Sequence, residues 1–212
     1  MPGQVPIPTP VIHMTHISNL PGIVADGLRP TAALQGAGPA YSSIAYSSIQ
    51  QQRAAKDVPC GPGGCLHDYT PFYFARKSPM LYTIWRGNVP CDGGQDGIIH
   101  LVTTAQHIAG RGYGFAFSDG HGIMSYTEFF DDLDDLAQVD WNVIRATYWH
   151  DTLEDGDRKR RKQAEFLVHG TVAWNDIGHI VVRTSNMQTK VQGLIAGATH
   201  KPIVTASTDW YY

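Results

Sequence analysis

The sequence contains few cysteines, no long apolar run and no strong excess of either charge. Its three cysteines are an odd number, which argues against a disulfide framework and for a reducing compartment. No apolar stretch approaches the roughly 20 residues that cross a bilayer. The first ten residues, MPGQVPIPTP, lack the basic and apolar regions of a signal peptide. From these absences we expect the protein in the cytoplasm.

The charge balance excludes a protein that is basic throughout. The chain of 212 residues carries 16 Lys and Arg against 19 Asp and Glu, a formal net charge of −3. Binding to a nucleic acid would therefore need a local basic patch. The five consecutive basic residues at 158–162 are the obvious place for one. The alternative interpretation of this run is a solvated, charged face.

The pattern of strand and helix signals predicts one domain, residues 1–212, of the α+β class. There is no internal repeat and no long linker, and strands and helices mingle without a regular βαβ alternation. The predicted strands are 11–17, 71–75, 97–103, 164–168, 179–183 and 203–205. The predicted helices are 19–26 with Ser18 as its cap, one from Ser42 or Ser43 to 55, an acidic helix over 127–138, and one from about Ser185. Two segments, 34–43 and 110–127, are predicted loops, and the second is expected to be mobile and to carry function.

One carboxylate has an unusual position. Glu165 begins the apolar strand 164–168, directly behind the basic run. An acidic residue in a buried strand is costly unless a partner or a ligand pairs with it. A carboxylate at a pocket edge can accept a hydrogen bond from a sugar hydroxyl or take up a proton. We therefore interpret Glu165 as a residue that faces a ligand.

The first predicted strand offers a second set of candidates. His13 and Thr15 are two residues apart and share a face, so they can line a pocket and hydrogen-bond to a ligand. His13 and His16 face opposite sides, which argues against one shared metal. In the aromatic strand 71–75, Tyr73 is either core packing or a ring that stacks on a flat heterocycle.

Two further sequence patterns resemble binding motifs, but both are better explained without a ligand. The run GRGYGF at 110–115 is only loosely similar to a dinucleotide fingerprint, because it lacks the third glycine at the right spacing and does not open a helix, so a plain loop is preferred. Cys60, Cys65, His67 and Cys91 are zinc-ligand types, but their spacing offers no paired CxxC motifs. Buried or incidental thiols are the preferred interpretation, and no metal is expected.

Four separated motifs together resemble one known family, the DarT family of DNA ADP-ribosyltransferase toxins. The motifs are VIHMTHISNLPGIVADGL at 11–28, a helix that bears Arg53, GGCLHDYTPFYFARKSPML at 63–81, and RKRRKQAEFLV at 158–168. They occur in the family's order, and the resemblance extends over most of the chain. The resemblance implies an ADP-ribosyltransferase fold, a split, mixed β core with surrounding helices. It also implies cleavage of the nicotinamide glycosidic bond of NAD and transfer of ADP-ribose to a base of single-stranded DNA, with thymine favoured over guanine.

The resemblance also implies site residues. Glu165 matches the catalytic glutamate of the family, and Arg53 matches the helix arginine, which we expect to grip an NAD phosphate or negative charge that develops on the base. The implied NAD-binding residues, with Tyr73 added as a stacking ring, are His13, Met14, Thr15, Gly22, Leu28, Arg53 and Tyr73. The implied DNA-binding residues are Arg158, Lys159, Arg160, Arg161 and Lys162. Residues 111–164 take the place of the mobile loop that holds DNA in the family.

The family further implies a toxin–antitoxin pair, with a macrodomain antitoxin that removes the mark. Two alternatives remain open at this point. An NAD-dependent RNA 2′-phosphotransferase would share the general fold but would need a 2′-phosphate pocket richer in paired arginines. A non-catalytic nucleic-acid-binding module would bind DNA without consuming NAD.

Overall fold

The computed structural model describes residues 3–34 and 41–212, whose strands form one mixed sheet. The eight strands are β1 (Pro10–His16), β2 (Tyr69–Tyr73), β3 (Ile98–Thr104), β4 (Phe115–Ser118), β5 (Phe129–Phe130), β6 (Glu165–His169), β7 (His179–Val182) and β8 (Ile203–Ala206). Their order is β5-β4-β6-β2-β1-β3-β7-β8, with β7 and β8 parallel and the other neighbouring pairs antiparallel. This mixed sheet with surrounding helices confirms the predicted fold class.

Short helices cover the sheet. In the described residues they are α1 (Leu20–Asp26), α2 (Thr31–Leu34), α3 (Ser47–Ala54), α4 (Pro79–Trp85), α5 (Ala105–Gly110), α6 (Trp141–Arg145), α7 (Arg158–Arg161) and α8 (Ser185–Leu194). Within those same two stretches, no helix has the length and apolar character to cross a membrane.

The sheet is split between β1 and β2. Strand β1 pairs with β3 along its whole length but with β2 only at Ile12 and Tyr73. Pro71 in β2 has no N–H to donate, so backbone pairing cannot continue past it in the ordinary way. The side chain of His13 instead contacts the Pro71 carbonyl. The two central strands therefore diverge and leave room for a ligand beside them.

Strand β6 is buried on both faces. Phe166 and Val168 pack into the main core, while Leu167 packs against Leu66 in a second cluster on the other face. Side chains two apart on a strand share a face, so Glu165 points to the same side as Leu167. Burial on both faces fixes the position of the carboxylate at the start of this strand.

Several predicted boundaries need correction. The helix predicted to start at Ser42 or Ser43 begins at Ser47, because the preceding segment is tied down by Ser42 and by the buried Ile44. Ser18 is not the cap that was predicted before α1, since its own backbone N–H donates to the ring of His16. The aromatic strand starts two residues earlier than predicted, at Tyr69.

Two larger errors concern the middle of the chain. The loop predicted over 110–127 contains strand β4. The acidic helix predicted over 127–138 is instead strand β5 followed by a 3-10 helix at Leu133–Gln138. Like charges four apart, such as Asp131 and Asp135, disfavour an α-helix there. Of the loop predicted over 34–43, residues 35–40 lie outside the described residues.

Candidate active site

A cavity of about 490 Å³ lies between α1, the segment 41–45 and the split in the sheet. Its volume is within the usual range for a small-molecule or cofactor site. The cavity is lined by every residue predicted to bind NAD and by the predicted catalytic glutamate: His13, Met14, Thr15, Gly22, Leu28, Arg53, Tyr73 and Glu165. The structure thus brings together residues that lie in four separate parts of the sequence.

Glu165 and Arg53 form a buried ion pair in the cavity wall. Glu165 is 1% exposed and Arg53 is 7% exposed. The Nη1 atom of Arg53 donates to both carboxylate oxygens, at 2.8 Å to Oε1 and 3.1 Å to Oε2. Two buried charges are tolerated when they pair and hydrogen-bond in this way. The carboxylate on an apolar strand is therefore held by an arginine that lies 112 positions earlier in the chain.

Gly122 completes the environment of this carboxylate. Its backbone N–H donates to Oε2 of Glu165 at 3.2 Å. A Cβ at this position would lie 2.7 Å from the same oxygen and 3.2 Å from Leu66, so a larger residue would displace the carboxylate. The loop at 119–127, which carries Gly122, is thus part of the site.

Arg53 has one buried donor without a partner. Its Nη2 atom makes no hydrogen bond to any described residue. Buried donors in folded proteins are normally satisfied. Because Arg53 lines the cavity, an oxygen of a bound ligand can satisfy this atom. This orphaned donor indicates that the cavity is built for a ligand with an acceptor at this place.

His13 presents a fixed acceptor to the cavity. Its Nδ1 lies 2.7 Å from the carbonyl oxygen of Pro71, which can only accept, so Nδ1 carries the proton. Burial lowers the pKa of His13 to about 4. The imidazole is therefore neutral at pH 7, and its Nε2 lone pair is available to a ligand hydroxyl or amide.

Met14 and Thr15 shape the wall in different ways. The Met14 side chain packs in an apolar cluster with Leu81, and its sulfur accepts from Ser78 at 3.7 Å. Thr15 Oγ1 accepts from Asn19 Nδ2 at 2.9 Å. Both side chains therefore support neighbouring parts of the cavity.

The other predicted NAD-binding residues differ in their surroundings. No atom lies within 4 Å of a Cβ placed on Gly22, which leaves space beside α1. Leu28 is fixed by an antiparallel bridge to Val172. Tyr73 faces Glu165 directly across the β2–β6 ladder. Burial, reinforced by the charge of Glu165, raises the pKa of Tyr73 far above its usual range, so its phenol is neutral.

Asn19 and His121 are among the cavity residues that were not predicted as site residues. Asn19 donates through Nδ2 to the carbonyl of Ser42 at 3.0 Å and accepts its N–H at 2.8 Å, which clamps the segment 41–45 onto α1. His121 lies in the 119–127 loop and lines the cavity. Burial lowers its pKa, against the opposing effect of the Glu165 charge. Asn19 lies within the first quoted motif, and His121 lies in the segment 110–127, which was predicted to carry function.

Arg160 is an internal anchor. Its guanidinium forms a two-pronged ion pair with Asp119, at 2.8 and 3.0 Å, and a second one with Asp157. It also donates to Thr127 at 3.3 Å, and its carbonyl accepts from the backbone of His121 at 3.0 Å. Arg160 therefore holds both ends of the 119–127 loop that brings Gly122 to Glu165.

Two more members of the basic run are also engaged internally. Arg161 pairs with Asp140 and Asp155. Lys162 is only 2% exposed, and its ammonium donates to three backbone carbonyls, including those of Ile144 and Ala146 at 2.7 Å each. The prediction that Lys162 contacts DNA is therefore corrected, because a buried ammonium with three acceptors cannot reach a phosphate.

The first two members of the run are more accessible. Arg158 donates to the carbonyl of Tyr148 at 2.8 Å and lies 3.8 Å from Asp155. Lys159 is exposed, and its side chain has no ion-pair or hydrogen-bond partner in residues 3–34 and 41–212. The charge of Lys159 also contributes to the lowered pKa of His121, which lines the cavity.

The cysteines do not converge. In the described part of the chain, no three His, Cys, Asp or Glu side chains come close enough together to hold a metal ion. His67, the imidazole considered with them, lies 3.0 Å from the Gln50 side chain.

Solved structures share the whole fold. DarT of Thermus sp. 2.9 in complex with ADP-ribosylated ssDNA matches with a TM-score of 0.93 and 42% identity, covering 100% of both chains. The same Thermus protein in complex with NAD+ matches with a TM-score of 0.87 and 40% identity over 99% of this chain and 100% of that chain. These matches place the fold in the class of DNA ADP-ribosyltransferases.

Sequence comparison identifies the family within that class. The family model for the "ssDNA thymidine ADP-ribosyltransferase, DarT" matches residues 12–212. The DNA ADP-ribosyl transferase of Thermus sp. strain 2.9 is 43% identical over 209 residues, which is 98% of each chain. This chain therefore belongs to the DarT family.

Proposed function

We propose that this protein transfers the ADP-ribosyl group of NAD to a thymine base of single-stranded DNA. The family description names this activity, and the Thermus relative has been solved with NAD+ and with ADP-ribosylated ssDNA. In this chain, the observation that carries the proposal is the buried Arg53–Glu165 pair in the wall of a cavity of cofactor size.

The residues of the cavity fit NAD. His13 Nε2 offers an acceptor and Arg53 Nη2 a donor that lacks a partner. The neutral ring of Tyr73 provides a flat surface beside Glu165. When bound, NAD supplies the ADP-ribosyl group: the bond from the ribose carbon to nicotinamide breaks, its electron pair leaves with nicotinamide, and a bond to a thymine ring nitrogen forms as that nitrogen loses its proton.

Glu165 stabilises the transition state of this transfer. Positive charge grows on the ribose as the glycosidic bond breaks, and a carboxylate held at that edge stabilises the transition state more than the ground state. Arg53 and the Gly122 N–H fix both oxygens of Glu165, so the charge is oriented before the reaction begins. Glu165 therefore needs little reorientation during the chemical step.

Arg53 and His121 have complementary roles at the base. An arginine cannot readily give up a proton, so the free Nη2 of Arg53 stabilises negative charge that develops on the thymine. His121 has a lowered pKa and is therefore neutral at pH 7. A neutral imidazole in the cavity wall can accept the proton that the thymine ring nitrogen releases.

Lys159 is the member of the basic run best suited to a DNA phosphate, because it is exposed and lacks a carboxylate partner. Arg158 lies next to it on α7. Arg160 and Arg161 are occupied by aspartates. We therefore narrow the proposed phosphate contacts of this run to Arg158 and Lys159.

Replacing Arg160 by alanine is expected to lower the turnover of transfer by roughly 10- to 100-fold, because the loop that orients Glu165 loses its anchor. The salt dependence of DNA binding should not change. The matched variant Lys159→Ala should keep the turnover and reduce the slope of log affinity against log salt by about 0.7. Turnover and salt titrations of both variants separate the two roles, and an Arg160→Ala slope that falls like that of Lys159→Ala would contradict the anchoring role.

The cellular role follows as part of the same proposal. We propose a toxin that acts in the cytoplasm, where its DNA acceptor and NAD occur together, and whose mark a macrodomain antitoxin removes. The family resemblance supports this role.

Residues 1–212 are proposed to form one domain, which is supported by a continuous sheet whose strands extend from Pro10 to Ala206.

One cavity feature disfavours the RNA 2′-phosphotransferase. A 2′-phosphate carries two negative charges and would favour a site with two neighbouring arginines that have no carboxylate partner. The arginines that line the cavity are Arg29 and Arg53, and they lie against Asp26 at 3.6 Å and Glu165 at 2.8 Å.

Incubating the protein with NAD and a mixed-sequence DNA oligonucleotide, then weighing the oligonucleotide, tests the function. A mass increase of one ADP-ribose is expected, whereas an unchanged mass with intact NAD would favour a binding module.

A further inference from the structure

We propose that a surface of aromatic rings and unpaired cations beside the cavity binds the part of the DNA strand that flanks the acceptor base. This aromatic–basic surface consists of Arg76, Lys77, Tyr82, Trp85, Arg86 and Tyr212. It rests on the proposed function, because single-stranded DNA is taken as the ligand, and it extends the DNA site beyond the residues that touch the reacting base.

The cations of this surface are free to bind anions. Within residues 3–34 and 41–212, the side chains of Arg76, Lys77 and Arg86 make no hydrogen bond, and no carboxylate lies within 4.0 Å of them. Arg160 and Arg161, by contrast, are each paired with aspartates. The conspicuous basic run is thus largely neutralised, and unpaired charge lies on this other surface.

Rings and cations alternate along the surface. The Lys77 ammonium lies 5.6 Å from the ring centre of Tyr212, and the Arg86 guanidinium lies 5.7 Å from that of Trp85. The rings of Tyr212 and Trp85 are themselves 5.9 Å apart and inclined by 30°. Proteins that bind single strands without strong sequence preference combine stacking rings with cations that follow the backbone. The spacing here provides both within one continuous patch.

The rings are held in position before any ligand arrives. Tyr82 packs edge-on against Tyr212 at 5.2 Å and against Trp149 at 5.6 Å. The indole N–H of Trp149 donates to the Tyr212 hydroxyl at 2.7 Å. Trp85 nevertheless remains 45% exposed. A ring that is fixed yet exposed loses little conformational entropy when a base stacks on it.

The surface is continuous with the cavity. Tyr73 and Met80 line the cavity and pack in the same apolar cluster as Tyr212. Met80 and Trp85 lie near opposite ends of α4, so this helix leads from the cavity rim to the exposed ring. Arg76 lies just before α4, 4.8 Å from the ring of Trp210. A strand that leaves the cavity past Met80 would therefore reach these rings and cations next.

The test compares two single-stranded oligonucleotides that contain the same acceptor thymine. One has about 5 nucleotides, near the lower end of the usual span of such a site, and the other has about 20, above that span. Affinity is measured by fluorescence anisotropy without NAD, and transfer is measured separately with NAD. The wild type should bind the long oligonucleotide more tightly. Trp85→Ala should lower the affinity for the long oligonucleotide about tenfold. The double variant Lys77→Ala with Arg86→Ala should reduce the slope of log affinity against log salt by about 0.7 for each lost phosphate contact.

Two control variants and a competitor make the result specific. Trp85→Phe keeps an aromatic ring and should retain most of the affinity. Lys190→Ala removes an exposed cation on α8, which packs against β8 at the far edge of the sheet, and should change nothing. For the short oligonucleotide, all variants should match the wild type in affinity and transfer. Polyglutamate should compete poorly; displacement by polyglutamate as effective as by DNA would assign the surface to an acidic polypeptide and overturn the proposal.

The two levels of inference fail in distinguishable ways. If wild-type affinity does not depend on oligonucleotide length, or if Trp85→Ala weakens the short and long ligands equally, the surface does not bind flanking DNA even though transfer proceeds. If length-dependent binding is lost in Trp85→Ala but no oligonucleotide gains ADP-ribose, the surface stands and the proposed transfer reaction is wrong.

Discussion

Glu165→Gln is expected to lower ADP-ribosyl transfer by about 10²–10³-fold, the usual effect of losing one electrostatic contact in the transition state. The amide keeps the shape of the side chain, but it has one acceptor oxygen in place of two and carries no negative charge to stabilise the ribose. NAD binding should persist, because most cavity residues are unchanged. The measurement is kcat for transfer to a single-stranded oligonucleotide, together with calorimetric titration of NAD.

Glu165→Ala serves as the companion variant. It should be at least as inactive, since it removes both the charge and the shape. An unfolding curve for each variant separates loss of chemistry from loss of structure. A Glu165→Gln protein with full activity would show that the charge of this residue is not what accelerates the reaction.

Arg53→Ala is expected to lower both stability and activity. Removing one partner of a buried ion pair leaves the other charge unpaired, at a cost of roughly 3–5 kcal/mol. For a chain of this size the melting temperature should fall by on the order of 10 °C. Transfer should fall as well, because the donor that stabilises negative charge on the base is lost. Thermal unfolding and transfer kinetics measure the two effects.

Two further variants separate the structural and the chemical role of Arg53. The double variant Arg53→Ala with Glu165→Gln removes both charges, so it should regain much of the stability without regaining activity. Arg53→Lys keeps a positive charge for Glu165 but lacks the second nitrogen, so it should fold and yet transfer slowly. An Arg53→Lys protein with wild-type transfer would refute the assigned role of Nη2.

Site residues could be predicted from the sequence where a local pattern had one physical explanation. Glu165 on an apolar strand required a partner, and the structure supplies Arg53. The strand spacing placed His13 and Thr15 at a cavity, where both are found. The motif resemblance brought these distant segments together, which local periodicity alone could not do because their contacts span many residues.

The basic run shows what the sequence could not reveal. Five adjacent basic residues predict one positive patch. In the folded chain, however, Asp119, Asp140 and Asp155 from other segments form ion pairs with members of this run. Lys162 is buried because three carbonyls at the end of α6 accept hydrogen bonds from its ammonium group. Only tertiary contacts distinguish a cation that binds a ligand from one that organises a loop.

The unpaired cations of the aromatic–basic surface were equally hidden. Arg76, Lys77 and Arg86 are scattered around α4 and form no run in the sequence. The contact of Lys77 with Tyr212 depends on packing between segments more than 100 residues apart, whereas Arg86 lies next to Trp85 in the sequence. A local charge count therefore pointed to the basic run and could not find these three cations.

The central claim is that a thymine base in single-stranded DNA accepts ADP-ribose. The thymine ring nitrogen lies on the Watson–Crick edge, where adenine hides it in a duplex, and flipping the base out would cost a few kcal/mol. One oligonucleotide is assayed alone and annealed to its complement, and mass spectrometry locates the added group. We expect the mark on thymine of the single strand and little or none on the duplex. Equal modification of both forms, or a mark on a phosphate or on the protein, would contradict the account.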